Sequence, residues 1–182
     1  MAGEVGRADG HGKNLIRRAL GALDAYRRRA TQALARLHWP GTPAERRAAL
    51  EEVHAAEQGA GPTFIFAPGL DWDVQLFQRP QQLALALARS GALVLYLQPT
   101  PQRGKALFRR AEPHLYLGNV PPRALADLPE TYVYVLTWNG DQTRRLPRAA
   151  VVYDFVDEVD VFYGNQRRIR ALHEQLLGSA RL

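Results

Sequence analysis

The chain contains no cysteine and only one methionine among its 182 residues. Disulfides and thiolate metal sites therefore cannot hold the fold, and a reducing compartment is compatible with the sequence. No apolar run approaches the roughly 20 residues that cross a bilayer, and Met1 to Lys13 lacks the apolar core of a secretory signal. We expect a cytoplasmic protein with a disordered stretch over residues 1–13.

Several catalytic motifs are also missing. No glycine-rich phosphate cradle follows an apolar run, which disfavours nicotinamide dehydrogenases and nucleotide triphosphatases. No Gly-x-Ser-x-Gly elbow is present, which disfavours the α/β hydrolases. The five histidines are scattered without metal-ligand spacing, so we predict neither a catalytic histidine nor a cofactor.

Positive charge is abundant but unevenly spread. The net charge is +6, and seven Lys or Arg stand against one acid between Lys13 and Arg36. Apolar residues at three- and four-residue steps across 14–39 predict a basic amphipathic helix. A capping box at Thr42 to Glu45, with Pro43 at the first helical position, predicts a second helix to about Gln58. Residues 14–61 are thus predicted to form a basic helical hairpin.

Two interpretations of helix 14–39 stay open. Its apolar stripe could enter the interface of an anionic membrane at the inner face, with the arginines on lipid headgroups. Alternatively, the stripe packs on the second helix and the sheet, and the arginines face solvent. The second interpretation is favoured because the stripe is rich in alanine and has no Trp or Phe before Trp39. No nucleic-acid partner is expected.

The segment from 62 to 182 has the pattern of an α/β domain. Nearly continuous apolar runs predict strands buried on both faces, which is typical of a parallel sheet. Helical segments between them predict a Rossmann-like sheet with helices on both faces. The strands are predicted at 63–67, 92–97, 114–117, 131–137 and 149–154, and the helices at 78–90, 122–127, 141–146 and 164–177.

Four segments carry a family resemblance. They are the strand and turn at 64–69, the triplet Asp71-Trp72-Asp73, the helix start Phe77-Gln78-Arg79-Pro80-Gln81-Gln82-Leu83-Ala84, and Tyr153-Asp154-Phe155-Val156-Asp157-Glu158. Together they resemble the amino-terminal half of bacterial GT-B glycosyltransferases of the glycogen-synthase-like, group 1 kind. The resemblance covers about residues 63–182.

The resemblance implies transfer of a sugar from a nucleotide-sugar donor to a hydroxyl of a glycan or lipid-linked acceptor, as in polysaccharide biosynthesis of the cell envelope. In that family the amino-terminal domain mostly holds the acceptor, whereas a second domain grips the nucleotide diphosphate. No segment here corresponds to that second domain. We therefore expect a domain truncated before its donor site, with the nucleotide-sugar a substrate and not a cofactor.

The helix start and the last strand supply the main candidate site residues. Arg79 is predicted to meet a phosphate or a sugar hydroxyl beside the positive end of a helix, or else to pair with an acid on a neighbouring loop. Gln78 suits a hydroxyl-rich ligand or caps the helix. Among the acids that follow the last strand, Asp154, Asp157, Glu158 and Asp160, we expect acceptor contacts, with Asp154 and Asp157 the candidates for a catalytic base.

Two further candidates lie in loops. Trp72 could stack on a sugar face or be buried against its loop, and Asn139 could bind a hydroxyl or serve as a turn residue. The triplet at Asp71 and Asp73 has the form of a divalent-metal site, but its position directly after the first strand argues against metal. The competing hypothesis is a non-catalytic Rossmann-like module that binds a sugar or nucleotide and docks a partner or membrane through the basic helix.

Overall fold

A computed structural model of the chain describes residues 39–156, 158, 159 and 165–180. Six strands form one sheet in the order β3-β4-β2-β1-β5-β6. Five of them run parallel, and β3 pairs antiparallel with β4. The strands are β1 (Thr63–Phe66), β2 (Leu93–Leu97), β3 (Phe108–Glu112), β4 (Leu115–Gly118), β5 (Thr131–Leu136) and β6 (Ala150–Asp154). The predicted α/β class and Rossmann-like sheet are confirmed.

Among the described residues, three α-helices and two 3-10 helices with defined bounds accompany the sheet. They are α1 (Pro43–Ala56), α2 (Arg79–Arg89) and α3 (Gln166–Ser179), with the 3-10 helices at Pro122–Leu125 and Thr137–Arg145. The segments predicted as helices at 122–127 and 141–146 are therefore 3-10 helices with shifted bounds. The first helix of the predicted hairpin, apart from Trp39, and the stretch 1–13 lie outside the described residues.

Both faces of the sheet are buried. Successive strand residues point to opposite sides, so an apolar strand contributes side chains to the core on each face. One face packs Ile65, Leu95 and Val133 against Leu50 of α1 and Leu176 of α3. The other face packs its strand residues, including Phe66 and Tyr134, against Ala84 and Ala88 of α2. All five residues of β2 are buried, as its continuous apolar run predicts. Helices therefore cover both faces.

The antiparallel strand β3 was not among the predicted strands. Its sequence, Phe108-Arg109-Arg110-Ala111-Glu112, has no apolar run, and only Phe108 and Ala111 are partly buried. A strand at the end of a sheet needs little apolar surface, so hydrophobic pattern alone does not reveal it. None of the described helices has the length and apolarity needed to cross a membrane.

The start of α1 follows the sequence prediction, and its end carries a buried acid. Thr42 caps the helix and Glu45 closes the predicted capping box. Glu57, whose side chain is only 2% exposed, accepts hydrogen bonds from the Tyr116 hydroxyl at 2.8 Å and from His114 Nδ1 at 2.5 Å. Burial favours protonation of Glu57, but these hydrogen bonds and the charges of His114 and Arg110 outweigh burial and lower its pKa.

Glu57→Gln is expected to reduce the free energy of unfolding at neutral pH by on the order of 2 kcal/mol, because buried donors lose a charged acceptor. A lowered pKa stabilises the fold above the ordinary value of 4.5 and ceases to do so as the pH falls through the folded-state value. The deficit of the variant should therefore shrink in acid.

Urea unfolding of the variant and the wild type across this pH range measures the difference. Glu52→Gln, an exposed position on the same helix, is the matched control and should change stability little at any pH. A deficit of Glu57→Gln that stays constant down to acidic pH would contradict the linkage.

Candidate functional site

The candidate site lies where the order of the strands reverses. From β1 the chain proceeds through β2 to β4 on one side of the sheet, and β5 and β6 lie on the other side. In open α/β sheets, ligands bind at such a switch point, outside the carboxyl ends of the strands. Here the loops after β1 and β5 meet, and we call this place the crevice.

Arg79 and Asp154 come together at the crevice from distant parts of the chain. Arg79 is the first residue of α2 and Asp154 is the last residue of β6. Arg79 Nε lies 2.9 Å from Asp154 Oδ2, and the two side chains are 61% and 11% exposed. Tyr134 of the intervening β5 donates its hydroxyl hydrogen to the same oxygen at 2.5 Å. The contact therefore joins the start of α2 to the two neighbouring strands β5 and β6.

The Tyr134 hydroxyl is held as a donor. Burial, followed by its hydrogen bond to the Asp154 carboxylate, raises the pKa of Tyr134 well above its ordinary value. Sequence reasoning did not single out Tyr134, since it lies inside an apolar strand. The alternation of side chains along β5 could have indicated the position of Tyr134, because it places residue 134 on the same face as Leu136.

The start of α2 positions Arg79. Pro80 is buried in the first turn, and Gln81 is fully buried. Gln81 Oε1 accepts the backbone N–H of Gln78 at 2.8 Å, while its Nε2 donates to the carbonyls of Asp71 at 3.2 Å and Trp72 at 3.4 Å. Gln81 thus ties the loop after β1 to the helix start. Gln81 belongs to the motif at the helix start, but its type and position did not predict this role.

Asn139 joins the two loops that form the crevice. Its Oδ1 accepts the backbone N–H of Leu136 at 2.7 Å, and its Nδ2 donates to the carbonyls of Ala67 at 3.2 Å and Pro68 at 3.3 Å. The amide is buried, and a Cβ at Gly69 would lie 2.9 Å from Nδ2. This geometry gives Asn139 a positioning role; contact with a ligand hydroxyl stays a prediction.

Trp72 is packed into its loop. Its ring meets those of Phe77 and Tyr96 edge to face, with centroids 5.2 Å and 5.1 Å apart. Its backbone N–H donates to Gln98 Oε1 at 3.0 Å, and the Tyr96 hydroxyl donates to the Leu70 carbonyl at 3.0 Å. The loop therefore has a defined shape, with Trp72 half-buried in it.

The remaining candidates are dispersed. The Gln78 side chain is exposed at the helix start, and Glu158 is exposed beyond β6. Asp157 and Asp160 lie outside the described residues. The structure thus brings together Arg79 and Asp154, which are the two predicted site residues in direct contact.

The aspartates of the Asp-x-Asp triplet have separate partners. Asp71 Oδ2 accepts from the Thr100 hydroxyl at 3.4 Å, and burial raises the pKa of Asp71. Asp73 Oδ2 lies 3.6 Å from Nη2 of Arg109 in β3. In the described part of the chain, no three His, Cys, Asp or Glu side chains are grouped to hold a metal ion.

Comparison with protein-family models, with curated proteins and with solved structures returns no match to this chain. Functional inference therefore depends on the residues of the crevice and on the sequence motifs that form it.

Proposed function

We propose that the crevice binds the acceptor of a sugar-transfer reaction. In this proposal the chain is the acceptor-side half of a glycosyltransferase that moves a sugar from a nucleotide-sugar donor to a hydroxyl of a glycan or lipid-linked acceptor. The observation that carries it is the contact between Arg79 and Asp154 at the carboxyl ends of the strands. The motifs that resemble group 1 GT-B glycosyltransferases include both residues.

The chemistry of the pair suits a hydroxyl-rich ligand. Both recorded contacts of the Asp154 carboxylate involve Oδ2, and the contact of Arg79 involves Nε. Within the described part of the chain, the second carboxylate oxygen and the terminal guanidinium nitrogens are left to accept from and donate to sugar hydroxyls. We assign Asp154 to acceptor binding, since two donors already hold its carboxylate, and we assign no residue as a catalytic base.

The same proposal also states how the sugar donor is bound and in which cellular setting the protein works. The nucleotide-sugar is a substrate held mainly by a second domain of the parent enzyme, and no cofactor is required. Synthesis of a bacterial envelope polysaccharide in the cytoplasm, at the inner face of the membrane, is the setting that the proposal favours. Peripheral membrane contact through residues 14–39 belongs to it as one of the two interpretations of that segment.

Glycan binding tests the proposal directly. The ¹⁵N-labelled chain is titrated with a panel of neutral oligosaccharides and, separately, with uridine diphosphate. We expect amide shifts in residues 67–79, 137–139 and 154 with at least one glycan. Arg79→Ala should weaken that binding roughly tenfold or more, because a charge-assisted hydrogen bond is lost and Asp154 loses its partner.

Arg89→Ala provides the matched control, since this arginine is exposed at the other end of α2 and should leave glycan binding unchanged. Shifts caused by uridine diphosphate alone would reassign the crevice to a nucleotide. No glycan response at these positions, or equal affinity of the Arg79→Ala variant, would contradict acceptor binding.

A non-catalytic binding module is the second candidate, and the ion pair favours it. A carboxylate already held by Arg79 and Tyr134 orders a binding surface without taking part in bond breaking. Nucleotide-sugar hydrolysis or transfer by the parent protein separates the two functions: turnover that depends on Arg79 supports the enzyme, and glycan binding without turnover supports the module.

A further inference from the structure

A cavity of about 470 Å³ lies between α1 and the first 3-10 helix, apart from the crevice residues. Its size falls within the range of small-molecule sites. The cavity has a topological origin. The crossover from β4 to β5 contains only the four-residue 3-10 helix Pro122–Leu125, where a Rossmann-like unit often has a longer α-helix. The sheet face beside α1 is therefore less fully covered.

Three arginines line this cavity: Arg46, Arg47 and Arg123. Arg46 is half-buried, and it donates to the carbonyls of Pro40 at 3.0 Å and Trp39 at 2.9 Å. None of the ion pairs found among the described residues involves these arginines. Burial, followed by the like charge of Arg123, lowers the pKa of Arg46. Arg46 of α1 and Arg123 of the 3-10 helix thus bring positive charge to the cavity from two elements, and the nearby Glu45 partly offsets the effect on Arg46.

An unsatisfied histidine nitrogen lies in the same wall. His54 lines the cavity, and its Nε2 is buried without a hydrogen-bond partner in the part of the chain described. Buried polar atoms of this kind normally have a partner. Because Nε2 has almost no accessible surface, it does not face a ligand in the cavity, and His54 contributes lining surface only.

Apolar surface completes the lining. Leu50, Ala124 and Leu128 contribute it, and Leu50 also belongs to the main core. Glu51 and Asp127 lie on the same lining. These two acids offset most of the positive charge of the three arginines. The cavity therefore does not favour polyanions, and its affinity for any anion is limited.

We propose that this cavity binds a small organic phosphate. Arg123 and the N–H groups of Arg46 that do not bind Pro40 and Trp39 hold the phosphate oxygens, and the apolar body of the ligand packs on Leu50 and Leu128. A phosphate is favoured over a carboxylate because planar guanidinium groups from two separate elements match a tetrahedral group with three terminal oxygens. The site does not depend on sugar binding in the crevice.

Phenyl phosphate is the probe, and calorimetric titration of the full chain is the measurement. We expect saturable binding, with inorganic phosphate at least several-fold weaker because it lacks the apolar body. Arg123→Gln should weaken phenyl phosphate roughly tenfold, as expected for loss of one charge-assisted hydrogen bond. Arg123 is exposed and forms no ion pair with the other described residues, so the variant should fold normally. Glu51→Gln should tighten binding a few-fold.

Arg89→Gln removes the same charge from α2 and is the matched control. Arg46→Gln, with its fold verified by circular dichroism, tests the second arginine independently. Lack of binding by the wild type, or equal affinity of the wild type and the Arg123→Gln variant, would overturn the site. If Arg89→Gln lost as much affinity for phenyl phosphate as Arg123→Gln, the effect would come from overall charge and not from the cavity. If inorganic phosphate bound as tightly as phenyl phosphate, the proposal of an organic ligand would be overturned.

Discussion

Leu176→Ala is expected to lower the free energy of unfolding by about 3 kcal/mol, the typical cost of emptying a fully buried leucine site. The side chain is 0% exposed and belongs to the core of one sheet face. It lies against Gly140, where a Cβ would come within 2.6 Å of Leu176 Cδ1. Only Leu172 and Leu176 of α3 are buried, so the truncation weakens most of the anchor of this helix.

The neighbouring Leu177 provides the control, because the same substitution there removes a side chain that is 62% exposed. Leu177→Ala should change stability by less than about 0.5 kcal/mol. Urea unfolding followed by circular dichroism measures both variants. Similar losses in the two variants would contradict the packing of α3 described above.

Asn139→Ala is expected to cost about 2 to 3 kcal/mol of stability and to abolish the glycan binding proposed for the crevice. It leaves the N–H of Leu136 and the carbonyls of Ala67 and Pro68 without their partner, and buried polar groups left unpaired are costly. The loops after β1 and β5 then lose their direct link. Urea unfolding and glycan titration of the same variant measure the two effects.

Asn139→Asp distinguishes the accepting oxygen of Asn139 from its donating nitrogen, because it keeps the first and removes the second. The introduced carboxyl can still accept from Leu136, but as a carboxylate it faces two carbonyl oxygens without a donor. Its folded-state pKa should therefore lie above the unfolded value, so the deficit relative to the wild type should grow as the pH rises from about 4 to 7. A deficit that does not vary with pH would show that the amide donors are dispensable.

Much of the sheet could be predicted from hydrophobic pattern. Strands β1, β2 and β5 lie within continuous apolar runs, and burial on both faces demands such runs. The pattern failed at β3, whose exposed arginines give no hydrophobic signal. It also predicted a helix at 141–146, where a 3-10 helix spans Thr137–Arg145. The close packing of Gly140 under Leu176 in this segment is a tertiary contact that local sequence does not encode.

The candidate site could be predicted in part. Proline in the first turn placed Arg79 at the mouth of a loop, and parallel strands placed the end of β6 at the same side of the sheet. The shared partner Tyr134 and the roles of Gln81 and Asn139 could not be predicted. They depend on which buried groups need hydrogen bonds, and this is known only once the loops are in place.

The charged outer strand β3 has a consequence for self-association. A terminal strand with unpaired backbone groups can template addition of a strand from another molecule. Here Arg109, Arg110 and Glu112 are exposed along it, and the register shifts between Arg110 and Glu112. At the opposite margin, Ala180 forms a backbone bridge to Val151. We expect both margins to disfavour intermolecular strand pairing, because one is charged and irregular and the other carries the Ala180 bridge.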